Sequence, residues 1–110
     1  MIEPHQWDQI QSIFDAHESF LISTHLNPDG DALGAEIALA EYLRCFNKKT
    51  YIVNISPTMA NYSFLDPDEE IIIFDETKHM HLLTDVDVFI FVDISDWERM
   101  GSLGDHIRRL

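Results

Sequence analysis

Phe20-Leu21-Ile22-Ser23-Thr24-His25-Leu26-Asn27-Pro28-Asp29-Gly30-Asp31-Ala32-Leu33-Gly34 opens as a short apolar run, passes through a polar turn and enters a long apolar segment. Pro28-Asp29-Gly30 is turn chemistry, and Asp31 suits the cap of a following helix. The stretch therefore reads as a strand over Phe20–Thr24, a loop, and a helix over Asp31–Asn47. That helix is apolar almost all round, with Glu36, Glu41 and Arg44 grouped on one side, which marks it as largely buried. Asn47 with Lys48 and Lys49 suits its exit.

The same alternation continues outward. Glu3–Ser19 reads as an amphipathic helix with Pro4 near its start and Trp7, Ile10, Ile13 and Phe14 on one face. Thr50–Ile55 is rich in β-branched and aromatic residues and predicts a second strand. Ser56–Asp68 carries Pro57 and Pro67 and reads as a loop with a short helix over Ala60–Phe64. Ile71–Phe74 predicts a strand, Glu76–Leu83 a short helix, and Leu103–Leu110 the beginning of a final helix. Val86-Asp87-Val88-Phe89-Ile90-Phe91-Val92 is mostly apolar on both faces, the pattern of a central parallel strand. Strands alternating with helices predict an α/β fold: a doubly wound, Rossmann-like, mostly parallel sheet with helices on both faces. Ligands of such folds gather beyond the carboxyl ends of the strands.

Composition narrows the function. The 110 residues hold 20 Asp and Glu against 7 Lys and Arg, a formal net charge of −13. Such a chain repels polyanions, which excludes nonspecific binding of long nucleic acid through a basic groove. A phosphate could be met only at a local positive charge, and a divalent cation supplies one. The 45% hydrophobic content is that of a globular chain. No apolar run spans a bilayer, and the first residues lack the basic-then-apolar pattern of a signal peptide. The single cysteine, Cys45, falls in an apolar helical pattern and predicts a buried thiol in a reducing cytoplasm.

His25, Asp29 and Asp31 lie just past the first strand, and Asp93 ends the strand Val86–Val92. If those strands are neighbours, the four residues converge at one rim, where carboxylates a few ångströms apart repel strongly unless a cation intervenes. One imidazole with several carboxylates and no thiolate suits Mn²⁺, with Mg²⁺, Co²⁺ or Fe²⁺ also chemically compatible. Two ions roughly 3.5–4 Å apart clamp a phosphoryl group and activate a water. Singly, each aspartate is as readily a turn or cap residue as a ligand; jointly the pattern points to metal. Ser95 has no obvious base partner for nucleophile chemistry. His5, His17, His79, His81 and His106 show no metal-ligand spacing. His79-Met80-His81 reads as helix surface, and Trp97 as a packing residue that could also stack on a base.

His25-Leu26-Asn27-Pro28-Asp29-Gly30-Asp31-Ala32-Leu33-Gly34-Ala35 closely resembles the first motif of the DHH phosphoesterases. Val92-Asp93-Ile94-Ser95-Asp96, with Arg99 and Gly101, resembles the second motif of the branch that hydrolyses nanoRNA and nucleotide bisphosphates. The resemblance covers nearly the whole chain. It implies that His25 and Asp29 bind a first Mn²⁺, that Asp31 binds a second, and that Asp93 bridges them. It also implies catalysis by Asp29, Asp31 and Asp93 through a metal-activated water acting on short oligonucleotides, dinucleotides or nucleotide bisphosphates. Cyclic dinucleotide, polyphosphate and pyrophosphate are substrates of other branches. Arg99 is expected to position the Asp93 loop by pairing with an acid.

Two departures accompany the resemblance. The family's third motif, Asp-His-His, is absent, since Asp105-His106-Ile107 lacks the second histidine and lies too early. The fourth motif and the C-terminal substrate-binding domain are absent too. Residues 1–110 thus read as the N-terminal portion of a DHH phosphoesterase domain, weakly active or inactive alone. Self-association to a homodimer stays open, because an incomplete sheet exposes apolar surface. Two other classes fit an acidic doubly wound domain: a receiver-like signalling module with Asp93 as phospho-acceptor, and a non-catalytic α/β interaction domain.

Overall fold

Four parallel strands, laid side by side in the order β3-β2-β1-β4, form the centre of the computed structural model, which describes residues 3–94 and 96–110. The strands are β1 (Ser19–Ser23), β2 (Lys49–Asn54), β3 (Ile72–Ile73) and β4 (Val88–Phe91). Four α-helices accompany them: α1 (Pro4–Ala16), α2 (Gly30–Cys45), α3 (Met80–Asp85) and α4 (Gly101–Arg108). Two 3₁₀ helices, Ala60–Leu65 and Trp97–Met100, complete the described elements.

The period-two alternation of β1 sorts the core into two layers. Phe20 and Ile22 face α2, where Ala40 and Leu43 pack with Ile52 of β2 and, at the margin, Phe14 of α1. Leu21 points the other way, into Val53, Leu82, Leu83, Met100, Leu103 and Ile107. Helices α1 and α2 thus cover one face, and α3 and α4 the other. This is the doubly wound arrangement predicted from the alternating pattern.

Strand order also creates the site. The chain leaves β1 towards β2 and β3, then crosses back to β4 on the opposite side of β1. Register pairs Ile22 with both Ile52 and Ile90. The carboxyl ends of β1 and β4 therefore flank a topological switch point, where open α/β sheets bind ligands.

Several expectations are corrected. Val86–Val92 is not central: among the described residues β4 pairs with β1 alone, and Val88–Phe91 are only half-buried. Apolarity on both faces of a strand reports helices above and below it, not neighbours on both edges. β1, completely buried at Phe20, Leu21 and Ile22, holds the inner position. Cys45 is exposed at the last turn of α2 rather than buried. The cap of α2 is Asp29, whose Oδ1 accepts from the Ala32 N–H at 2.9 Å, so Asp31 falls in the first turn. α1 ends at Ala16, and α3 starts later than predicted, because Asp75 and Thr77 form a side-chain-to-backbone turn just before it.

Glu36 departs furthest from its sequence reading. Grouped by spacing with Glu41 and Arg44, it is instead fully buried, its Oε1 accepting from Asn54 Nδ2 at 2.9 Å. Burial pushes its carboxyl up to about 8, against a smaller lowering from that hydrogen bond. Glu36 Oε2 and Asn54 Oδ1 have no partner among the described residues. A protonated Oε2 is the donor that would join them.

Candidate metal centre

The floor of the crevice is built by backbone. The Val92 N–H donates to the Ser23 carbonyl at 3.0 Å, and Thr24 Oγ1 donates to the Val92 carbonyl at 2.7 Å. These bonds carry the β1–β4 pairing past the strand ends and hold Asp93 beside His25. Nothing in the sequence flags Thr24 for this role, because its acceptor lies across the sheet.

His25 is buried, with 8% of its surface exposed. Its Nδ1 lies 2.7 Å from the Leu26 carbonyl oxygen, which can only accept. In the neutral ring Nδ1 therefore carries the proton and Nε2 offers its lone pair, the tautomer that metal-binding histidines adopt. That Nε2 lies 3.5 Å from Asp93 Oδ2. Asp93 itself takes a left-handed backbone conformation, φ 54°, at the turn out of β4. Asp tolerates this region better than most residues, and strain of this kind clusters at functional sites.

Asp29 completes the group. One donor atom each from His25, Asp29 and Asp93 lies within 4.8 Å of the others. Capping α2 occupies Asp29 Oδ1 and leaves the other carboxylate oxygen for a ligand. Asp31 sits outside this triad, exposed on the first turn of α2. Among the described residues no other trio of His, Cys, Asp or Glu gathers in this way.

The loop between the ligands is clamped from both sides. The Leu26 N–H donates to the Arg99 carbonyl at 2.7 Å, and the Asn27 N–H to Ser56 Oγ at 3.0 Å. Asp96 caps the 3₁₀ helix Trp97–Met100 by accepting from the Arg99 N–H at 3.2 Å. Arg99 thus positions the loop through its backbone, and among the described residues its side chain enters no ion pair with an acid. Gly101, at φ 60°, lets this segment close on the loop: a Cβ there would meet Leu26 Cδ2 at 3.3 Å and Ile55 Cγ1 at 3.4 Å.

The donor set, two carboxylates and one imidazole within 4.8 Å, fits a hard divalent cation. Two carboxylates of a −13 chain share this rim with one imidazole, and a divalent cation would offset their repulsion. Elsewhere His106, on α4, pairs with Glu76 at 3.0 Å, away from the triad. His79 Nδ1 accepts from the Asp75 N–H. Met80 and His81 are exposed, as predicted for that surface. Ser95 of the second motif lies outside the described residues.

No protein-family model matches the chain. Over 72 residues, 62% of its length, it is 31% identical to the bifunctional oligoribonuclease and PAP phosphatase NrnA of Thermus thermophilus. That similarity is to a phosphoesterase of the DHH type. The match spans 22% of the length of that relative. In fold, the chain resembles an exopolyphosphatase-related protein from Bacteroides fragilis. The TM-score is 0.89 at 20% identity, covering 97% of this chain and 32% of the other.

Proposed function

We propose that the chain carries metal-binding residues of a phosphoesterase that hydrolyses short oligonucleotides (nanoRNA), dinucleotides or nucleotide bisphosphates with Mn²⁺. The observation that supports it is the convergence of His25, Asp29 and Asp93 donors within 4.8 Å at the β1–β4 switch point. His25 Nε2 and the free oxygen of Asp29 would hold a first ion, Asp93 would bridge, and Asp31 would serve a second. When bound, the cations supply an activated water and offset the charge developing on the phosphoryl oxygens.

The chain's own groups do the arranging. The Leu26 carbonyl fixes the His25 tautomer. The Ala32 N–H steers Asp29. The Thr24–Val92 hydrogen bond sets the distance between the two motifs. No helix of the described residues is long and apolar enough to cross a membrane, in keeping with a cytoplasmic enzyme acting on nucleotides.

Isothermal calorimetry with Mn²⁺ tests the centre. The chain should bind the ion, and Asp93→Asn, which keeps the side-chain shape and tolerates a left-handed φ, should not. Equal binding by both proteins would refute the centre. Hydrolysis of a trinucleotide, a nucleotide 3′,5′-bisphosphate, a cyclic dinucleotide, polyphosphate and pyrophosphate in Mn²⁺, assayed on a chain extended past Leu110, then sorts the substrates. Turnover of only the last three would overturn the substrate class, and no turnover of any would overturn the activity.

A further inference from the structure

Tyr62 lies against the ligand loop at Gly30. It belongs to the 3₁₀ helix Ala60–Leu65, which packs on α2. Its ring rests on Gly30: a Cβ on that glycine would sit 3.3 Å from Cε1, 3.8 Å from Cδ1 and 3.9 Å from Cζ. Gly30 is the residue between Asp29 and Asp31, so the ring covers the backbone between two aspartates of the first motif. Any larger residue at position 30 would push the ring away.

The rest of the phenol is open. Tyr62 is half-exposed, and its hydroxyl makes no hydrogen bond among the described residues. Its neighbours continue an apolar rim, with Met59 55% and Phe64 73% exposed. Trp97, 40% exposed, stands edge-on to Phe91 at 5.3 Å, with the Arg108 guanidinium 5.6 Å over its ring. What sets Tyr62 apart from these aromatics is its contact with the backbone between Asp29 and Asp31.

We infer that Tyr62 is a substrate-contacting residue, whose ring stacks on a nucleobase while the attached phosphate lies at the His25–Asp29–Asp93 centre. This rests on the phosphoesterase reading and adds to it the group that recognises the base. Charge makes the need concrete. A −13 chain with 7 basic side chains has little to offer a nucleotide's phosphates beyond a metal. Base–aromatic stacking adds affinity without any charge and tolerates every base. It suits a chain that excludes long polyanions and accepts very short ones.

Two substitutions test the inference. Tyr62→Leu keeps bulk over Gly30 but removes the π-face, and Tyr62→Phe keeps the π-face but removes the hydroxyl. With Mn²⁺ present, calorimetry compares a phosphorothioate-linked dinucleotide with methylenediphosphonate, which has no base. Tyr62→Leu should weaken dinucleotide binding by roughly tenfold or more, the range of a lost base stack. Its affinity for methylenediphosphonate and for Mn²⁺ alone should match wild type, and Tyr62→Phe should bind both ligands normally. The inference is overturned if Tyr62→Leu leaves the dinucleotide unaffected, if both ligands weaken together, or if Tyr62→Phe loses as much as Tyr62→Leu. A wild type that binds Mn²⁺ and the diphosphonate but no dinucleotide overturns the Tyr62 role and leaves the metal centre standing. A wild type that binds no Mn²⁺ overturns both.

Discussion

Glu36→Gln should stabilise the protein at neutral pH and have only a small effect near pH 5. The Glu36 carboxyl is fully buried between α2 and β2, and burial pushes it from 4.5 to about 8. Between those values the unfolded chain has lost this proton while the folded chain keeps it. The folded state then binds more protons, so stability falls as pH rises. The contribution of Glu36 is intact below about 4.5 and is lost progressively as pH approaches 8. Each pH unit costs about 1.4 kcal/mol, which accumulates to about 3 kcal/mol by pH 7.

Glutamine has nearly the same shape and does not titrate. Its Oε1 can accept from Asn54 Nδ2, and its Nε2 can donate to the unpartnered Asn54 Oδ1. Urea unfolding followed by circular dichroism from pH 5 to pH 8 gives the difference between variant and wild type. Taking that difference cancels the titration of the other carboxylates. The glutamine variant should gain about 3 kcal/mol at pH 7 and less than about 1 kcal/mol near pH 5. A difference that does not change with pH, or a glutamine variant less stable at pH 7, would refute the buried neutral carboxyl.

Other measurements probe the loop and its supports. Mn²⁺ at a hundredfold over its dissociation constant should stabilise the wild type by about 3 kcal/mol, seen as a raised melting temperature. His25→Ala should lose that response, and an equal response would argue against histidine ligation. Gly101→Ala forces a side chain into φ 60° and against Leu26 and Ile55. A loss of roughly 1–3 kcal/mol in urea unfolding is expected, and no loss would mean that the turn relaxes freely. Asp87 accepts from the Glu18 and Ser19 N–H groups at 3.0 and 3.2 Å, and these bonds hold its carboxyl below the usual range. Its contribution is present above the ordinary carboxylate pKa and lost as pH falls through the lowered one. Asp87→Asn should therefore be less stable than wild type at pH 7 and converge with it in acid. A deficit that persists unchanged at low pH would contradict the assignment.

Much of the site is legible locally. The apolar run before His25, the Pro-Asp-Gly turn and the apolar helix after it follow from neighbouring residues, as does the alternation that yields a doubly wound sheet. Those elements put His25, Asp29 and Asp93 at strand carboxyl ends, where ligands sit, and the three share one rim because β4 pairs with β1. Other features are tertiary in origin. β4 lies outside β1 because the chain crosses back after β3, and apolar composition registers helix cover rather than strand order. Glu36 looks like a surface acid until Asn54, on another element, takes it into the core. Thr24 reaches the Val92 carbonyl, and Tyr62 reaches Gly30, only once the strands and the 3₁₀ helix have docked. Local sequence sets which elements form and which side chains stand at their ends, because turn, cap and periodicity act between near neighbours. The tertiary structure decided which of those ends meet, because strand order and register bring distant residues together through contacts that no local segment contains.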